Sequence, residues 1–386
     1  MYDEINLTIF TNSNCNLECK YCYEQTRKKE NDFDYIKKFI DIKLNKYIDK
    51  DKIYFNIFGG ELFLYIDLLE KIFEYGLSLT KKLNIIDKIS FKCSTNGTLI
   101  YKNKEVQNFL LKWNKILDKK LDIRISLDGG QHITDDNRIY KNEKNRSVYN
   151  DIIKSVNWLL ENNINLTKFA TTYNHSCLKF NYAEDIINLM KNYPQVIIVS
   201  GVTIEEHWTF DEGIKILSQF IKIIDYVYNN NLENDIINNK KLSRRWFLFN
   251  DNIKDFSLLS KNKEYHLYCD SCIINYDSCL GYNGNIFGCH HFATMNNEDK
   301  FIYENLDNLE VKNTKIIEEY KNHINLFPEE CKNCDLFNSC SSCLGIPYNI
   351  NEDPKEFYNK KHMCGWTYAA TLSKYYQKLI HDKKGE

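Results

Sequence analysis

Proline is nearly absent from these 386 residues, with four in all, and no excess of either charge stands out. Lys and Arg number 51 against 53 Asp and Glu, a formal net charge of -2. Nothing in that balance draws the chain to nucleic acid or to an anionic membrane, so neither is expected as a partner. No apolar run approaches the ~18 residues of a membrane span. The opening Met1-Tyr2-Asp3-Glu4 lacks the basic stretch of a secretory signal. A cytoplasmic location is therefore expected, where thiols stay reduced and the fourteen cysteines argue for metal rather than disulfides. A last scarcity is local. Cys15, Cys19 and Cys22 stand at a CxxxCxxC spacing, yet no cysteine follows until Cys93 and no histidine until His132. Three thiols leave a four-ligand metal site one ligand short.

Short β-rich runs alternate with helix-period segments over the first two hundred residues. Strands are expected at 6–10, 53–58, 89–94, 121–126, 166–172 and 195–200, and helices at 35–48, 65–79, 104–117, 148–160 and 182–191. Alternation of this kind reads as parallel βα units, and six of them suit a partial (β/α)6 barrel better than a closed eight. Polar signatures sit where such folds gather their active sites, after the strands: Asn12–Cys22, Gly59-Gly60-Glu61, Thr95-Asn96-Gly97 and Asp128-Gly129. A helix over 211–229 and a polar connector over 230–263 follow. Nine of the fourteen cysteines then fall between Cys269 and Cys364. The expected division is 1–210 for the barrel, 211–265 for a helical connector and 266–386 for the cysteine-rich part.

A [4Fe–4S] cluster on three thiolates keeps one iron open to a small molecule. On this point the sequence resembles the radical S-adenosylmethionine (SAM) superfamily. The resemblance implies that S-adenosyl-L-methionine chelates the open iron and is cleaved to a 5'-deoxyadenosyl radical. It implies a role for Tyr21, the aromatic before the third cysteine, against the adenine. Gly60 and Glu61, of the GGE element, would take the methionine ammonium. Ser126 and Arg138 would take its carboxylate, a guanidinium being well shaped for that partner. Asn96 would help hold the ribose. A zinc knuckle explains the three cysteines alone but not this company.

The cysteine-rich part resembles the SPASM extension, which binds two auxiliary [4Fe–4S] clusters, three in all with the first. The resemblance puts Cys331, Cys334, Cys340 and Cys364 on the outer cluster. Cys272, Cys289 and Cys343 go to the inner one, with Cys269 and Cys279 competing for its last position and Cys269 slightly favoured. Cys340 and Cys343 stand two residues apart where many members have three. A pair of zinc ribbons is the simpler alternative. Cys93 and Cys177 read as buried free thiols.

Enzymes with this extension mostly modify peptides. The ending "CSSCLGIPYN…HMC" looks most like maturases of short cysteine-rich precursor peptides, which join a cysteine sulfur to a carbon. Alternatives are an anaerobic sulfatase-maturating enzyme, which makes formylglycine, and a non-catalytic iron–sulfur or zinc scaffold. The sulfatase-maturating group carries an aspartate where this chain has His290. No catalytic acid or base is assigned. The implied partners are a precursor peptide and an electron donor such as ferredoxin or flavodoxin. With the first strand near Ile5, leader recognition is expected from the barrel mouth, the connector or a separate leader-binding protein.

Overall fold

The structure is a computed structural model that describes residues 4–22, 24, 29–203, 206–232, 278–294, 298–309, 312–315, 318, 322–337, 340, 347–348, 350 and 352–385. Six β–α repeats run through its first part, making the expected α/β partial barrel. The strands are β1 (Glu4–Phe10), β2 (Lys52–Phe58), β3 (Ile89–Thr95), β4 (Leu121–Ser126), β5 (Leu166–Tyr173) and β6 (Ile197–Val202). The helices are α1 (Phe33–Lys46), α2 (Ile66–Lys82), α3 (Lys104–Leu117), α4 (Gln131–Asn137), α5 (Val148–Glu161), α6 (His175–Lys179), α7 (Tyr182–Asn192) and α8 (Phe210–Asn229). Every strand and long helix expected from periodicity is present within about three residues of its expected ends. The short helices α4 and α6 escape the periodicity, being too brief to show one.

Local chemistry explains the boundaries. In β1 Ile5, Leu7 and Ile9 alternate inward at 2% exposure or less, the two-residue period of a strand. Asp32 caps α1 by accepting from Asp34 N, and Asn103 and Ser147 cap α3 and α5 in the same way. Thr209 and Glu212 form a reciprocal capping box at the start of α8.

The chain divides into two compact units. The first comprises Met1–Ser126, Arg138–Thr167 and Ser271–Glu318. Within it β1 to β4 pair in parallel, β1↔β2 in the register Leu7↔Phe55. On the other side of β1 lies β7 (Cys279–Leu280), parallel to it at Thr8↔Cys279. The antiparallel strands β8 (Asn285–Phe287) and β9 (Glu304–Asn305) extend the sheet. Phe73 of α2 stacks on Phe91 of β3 at 4.4 Å and meets Trp113 of α3 at 5.0 Å, the aromatic centre of this core.

The second unit comprises Leu127–Asn137, Lys168–Asp270 and Glu319–Glu386. It holds the parallel pair β5–β6 and a closely packed crossing of α8 with the helix Cys364–Gly385. A Cβ on Gly213 would meet the Gly365 carbonyl at 2.4 Å, so the two backbones touch there. The units interleave along the sequence. Pairing of β7 with β1 ties Cys279 and Leu280 to the start of the chain.

Candidate functional site

Three backbone seams hold the loop after β1. Thr11 N donates to Phe58 O at 2.9 Å; Gly60 N reaches Asn12 O and Glu61 N reaches Asn14 O, both at 2.7 Å. These bonds lay the loop along the end of β2. A Cβ on Gly60 would sit 2.2 Å from Asn14 O, so only glycine allows the approach. Farther on, Glu18 N donates to Ile139 O at 2.7 Å, and Leu17 bridges Tyr140. Arg138 is thereby carried to the cysteine loop from a segment 120 residues away in sequence.

Cys15, Cys19 and Cys22 all lie on this loop, with Cys22 N turned onto Cys19 O at 3.1 Å. The Cys15 Sγ accepts from Leu17 N at 3.4 Å and from Asn96 Nδ2 at 3.5 Å. Burial, then the charge of Glu61, pushes the Cys15 thiol up to about 11. Burial also raises Cys22, against the pull of Arg138 and Lys141. A thiolate here is costly unless a positive partner shares the site. Buried thiols that receive N–H···S donors are the surroundings an iron–sulfur cluster needs. Among the described residues, no three Cys, His, Asp or Glu side chains converge on a point that one metal ion could occupy.

Arg138 is 7% exposed, and its guanidinium carbon lies 5.5 Å from the Tyr21 ring centre. Both residues border the cysteine loop. Ser126 closes β4 and is half-buried. Glu61 is fully buried, and its carboxylate takes three donors: Thr95 Oγ1 at 2.7 Å, Asn96 N at 2.8 Å and Phe63 N at 3.1 Å. Burial still raises it above the ordinary carboxylate range. Asn96 lies at the end of β3 with its side chain turned to the cysteine loop. Asn16, Thr95 and Thr98 complete this polar cluster. Asn16 and Thr95 fall within polar signatures read from the sequence, without a role of their own there, and Thr98 lies just beyond the Thr95-Asn96-Gly97 signature.

Of the auxiliary-cluster candidates in the first unit, Cys279 and Cys289 are described. Cys279 is fully buried on β7, and its thiol is raised well above the usual value by burial and then by Cys289 nearby. His290 follows, its ring 5.5 Å from that of Phe58 and 4.4 Å from that of His291. In the second unit Cys331, Cys334, Cys340 and Cys364 form a group. Burial pushes Cys340 up to about 12, and Cys364, Cys331 and Cys334 each add to the rise. Cys334 N turns onto Cys331 O at 3.0 Å, and Thr367 Oγ1 donates to Cys340 Sγ at 3.8 Å. Four thiols gathered in this way are a fit donor set for a cubane. Cys269, Cys272 and Cys343 lie outside the described residues. Cys93, in β3, and Cys177, in α6, are buried single thiols.

Residues 9–193, which contain this whole loop system up to Arg138, match the radical SAM superfamily. They are a radical SAM domain. Its closing strand, β6, lies just beyond the matched stretch. An uncharacterized protein of Methanocaldococcus jannaschii is 34% identical over 161 residues, 41% of this chain. The matched stretch spans half the length of that relative. Among solved structures, native anSMEcpe with bound AdoMet and Cp18Cys peptide aligns over 98% of this chain and 99% of its own, at 17% identity and a TM-score of 0.63. Streptococcus suis SuiB bound to S-adenosylmethionine aligns over 91% of this chain and 73% of its own, at 15% identity and 0.52. At such identities the likeness is one of fold. Among the described residues, no helix is long and apolar enough to cross a membrane.

Proposed function

We propose that the protein is a radical SAM enzyme that modifies a ribosomally made peptide, joining a cysteine sulfur to a carbon. One observation carries the reading: the Cys15–Cys22 loop is stitched on one side to the Gly60 turn and on the other to Arg138. Three thiols, a close-approach glycine and a carboxylate receptor are thereby joined on one loop. The fold likeness to anSMEcpe with a bound peptide, and to SuiB bound to its precursor peptide SuiA, supports a peptide substrate.

Cys15, Cys19 and Cys22 would hold a [4Fe–4S] cluster, and S-adenosylmethionine bound there supplies a 5'-deoxyadenosyl radical able to take hydrogen from carbon. The chain's own contribution is placement. Arg138 and Ser126 receive the methionine carboxylate, and Tyr21 borders the adenine. Phe63 N and Thr95 Oγ1 on its Oε1 and Asn96 N on its Oε2 fix Glu61 in the turn, and its carboxylate with the Gly60 backbone would take the methionine ammonium. The Cys331, Cys334, Cys340 and Cys364 group would hold the outer auxiliary cluster. Cys279, fully buried beside Cys289, is one of the two candidates for the last position of the inner cluster, Cys269 being the other. A ferredoxin- or flavodoxin-type protein would deliver the electron.

Formylglycine formation is the competing reading, weakened by His290 at the place of the aspartate base. Anaerobically reconstituted protein should hold about twelve irons, three clusters of four, and the Cys15/Cys19/Cys22→Ala variant about eight. Incubated with a cysteine-bearing precursor peptide and S-adenosylmethionine, the enzyme should remove a pair of hydrogens and one alkylatable thiol per link. Loss of hydrogens with every thiol retained would defeat the thioether reading, and exchange of sulfur for oxygen would establish its competitor.

A further inference from the structure

Asn96 came under suspicion as a ribose ligand, yet every hydrogen-bonding position of its side chain is already filled inside the protein. A carboxamide offers two N–H donors and an oxygen with two lone pairs. Its Nδ2 donates to Asn16 Oδ1 at 2.8 Å and to Cys15 Sγ at 3.5 Å. Its Oδ1 accepts from Thr98 N at 2.9 Å and from Thr98 Oγ1 at 2.7 Å. The backbone donor Thr98 N–H fixes which end of the amide is oxygen. Asn16 Nδ2 closes the circuit by donating to Thr98 Oγ1 at 2.8 Å. Asn96 is 6% exposed and Thr98 fully buried, so solvent does not compete for these bonds.

We infer that Asn96 is a positioning residue that directs a hydrogen bond onto the Cys15 sulfur and so sets the reduction potential of the cluster on Cys15, Cys19 and Cys22. The inference rests on the iron–sulfur reading of that loop. An N–H pointed at a ligating sulfur stabilises the extra negative charge of the reduced state, which moves the potential upward. Leu17 N supplies a second such donor, at 3.4 Å. The closed Asn16–Asn96–Thr98 circuit holds the first donor in place whether or not S-adenosylmethionine is bound. That independence separates this role from ribose binding.

The test is a redox titration, followed by electron paramagnetic resonance, of reconstituted protein without S-adenosylmethionine. The Cys15/Cys19/Cys22→Ala variant supplies the auxiliary-cluster background to subtract. Asn96→Ala should lower the ratio of reduced to oxidised first cluster at fixed potential by roughly threefold to tenfold, tenfold being about 59 mV for one electron. Thr98→Val, which leaves every cysteine contact and the backbone donor to Asn96 Oδ1 in place but removes the hydroxyl that links Asn96 Oδ1 to Asn16 Nδ2, should shift it the same way by less, and Thr98→Ser should restore the original value. If Asn96→Ala fails to load iron, the Val and Ser pair at Thr98 decides alone. A loaded cluster whose potential does not move, together with weakened S-adenosylmethionine binding, would overturn the assignment in favour of the ribose. Wild-type protein that takes up no iron would instead overturn the functional reading beneath it.

Discussion

Gly60→Ala should be among the most damaging single-methyl substitutions in the chain. Its Cβ would stand 2.2 Å from Asn14 O, 2.6 Å from Asn14 C and 2.7 Å from Ser13 C, all backbone atoms that no rotamer change can move aside. Ordinary contact begins near 3.4 Å, so the loop would have to retreat by about 1.2 Å (3.4 less 2.2). The bonds Gly60 N→Asn12 O and Glu61 N→Asn14 O, now 2.7 Å, would not survive that retreat. Two lost bonds at about 1 kcal/mol each, with ~1–3 kcal/mol of overpacking strain, give a loss of roughly 3–5 kcal/mol. Gly76→Ala is the control. There the nearest atom is the Phe91 ring at 3.1 Å, and the helix-propensity gain of about 1 kcal/mol offsets the crowding. Urea unfolding of the metal-free proteins at constant slope reads both values. A Gly60→Ala protein within 1 kcal/mol of wild type, on the scale of an ordinary surface change, would refute the view that this loop is pressed onto the turn.

Arg138→Ala should weaken S-adenosylmethionine binding tenfold or more, from the ~1.5–3 kcal/mol of a charge-assisted contact, and leave the iron content unchanged. An unaltered dissociation constant would make the residue structural. Asp151, on α5, is 4% exposed and accepts from Lys102 Nζ, from Tyr140 OH at 2.7 Å and from Arg146 Nε at 2.9 Å. Burial opposes its charge, but the bonds from Lys102 and Tyr140 prevail and hold its carboxyl below the ordinary range. A depressed carboxyl lends stability above its unfolded value and loses it as pH falls through the folded one. Asp151→Asn should therefore cost roughly 1–3 kcal/mol at pH 7, and the gap from wild type should close in acid below both values. A gap that stays constant with pH would show that the charge of Asp151 does not matter.

Periodicity alone determined the alternating strands and long helices, because a buried strand and a one-sided helix each imprint their own spacing on the apolar residues. Lys104–Leu117 and Leu121–Ser126 were legible to the residue. So was the cysteine loop, whose spacing is local and whose chemistry admits few readings. Tertiary structure decided what distance in sequence concealed. Nothing in the sequence of β7 says that it pairs with β1, since a two-residue strand carries no period, yet that pairing sets Cys279 beside Cys289 in the first unit. The engagement of Glu61 by Thr95 and Asn96 was equally hidden, because hydrogen-bond capacity is spent in three dimensions and a motif records only the residue type. Asn96 makes the same point: its place after β3 was visible, but only the folded loop turns its amide onto a sulfur eighty-one residues earlier.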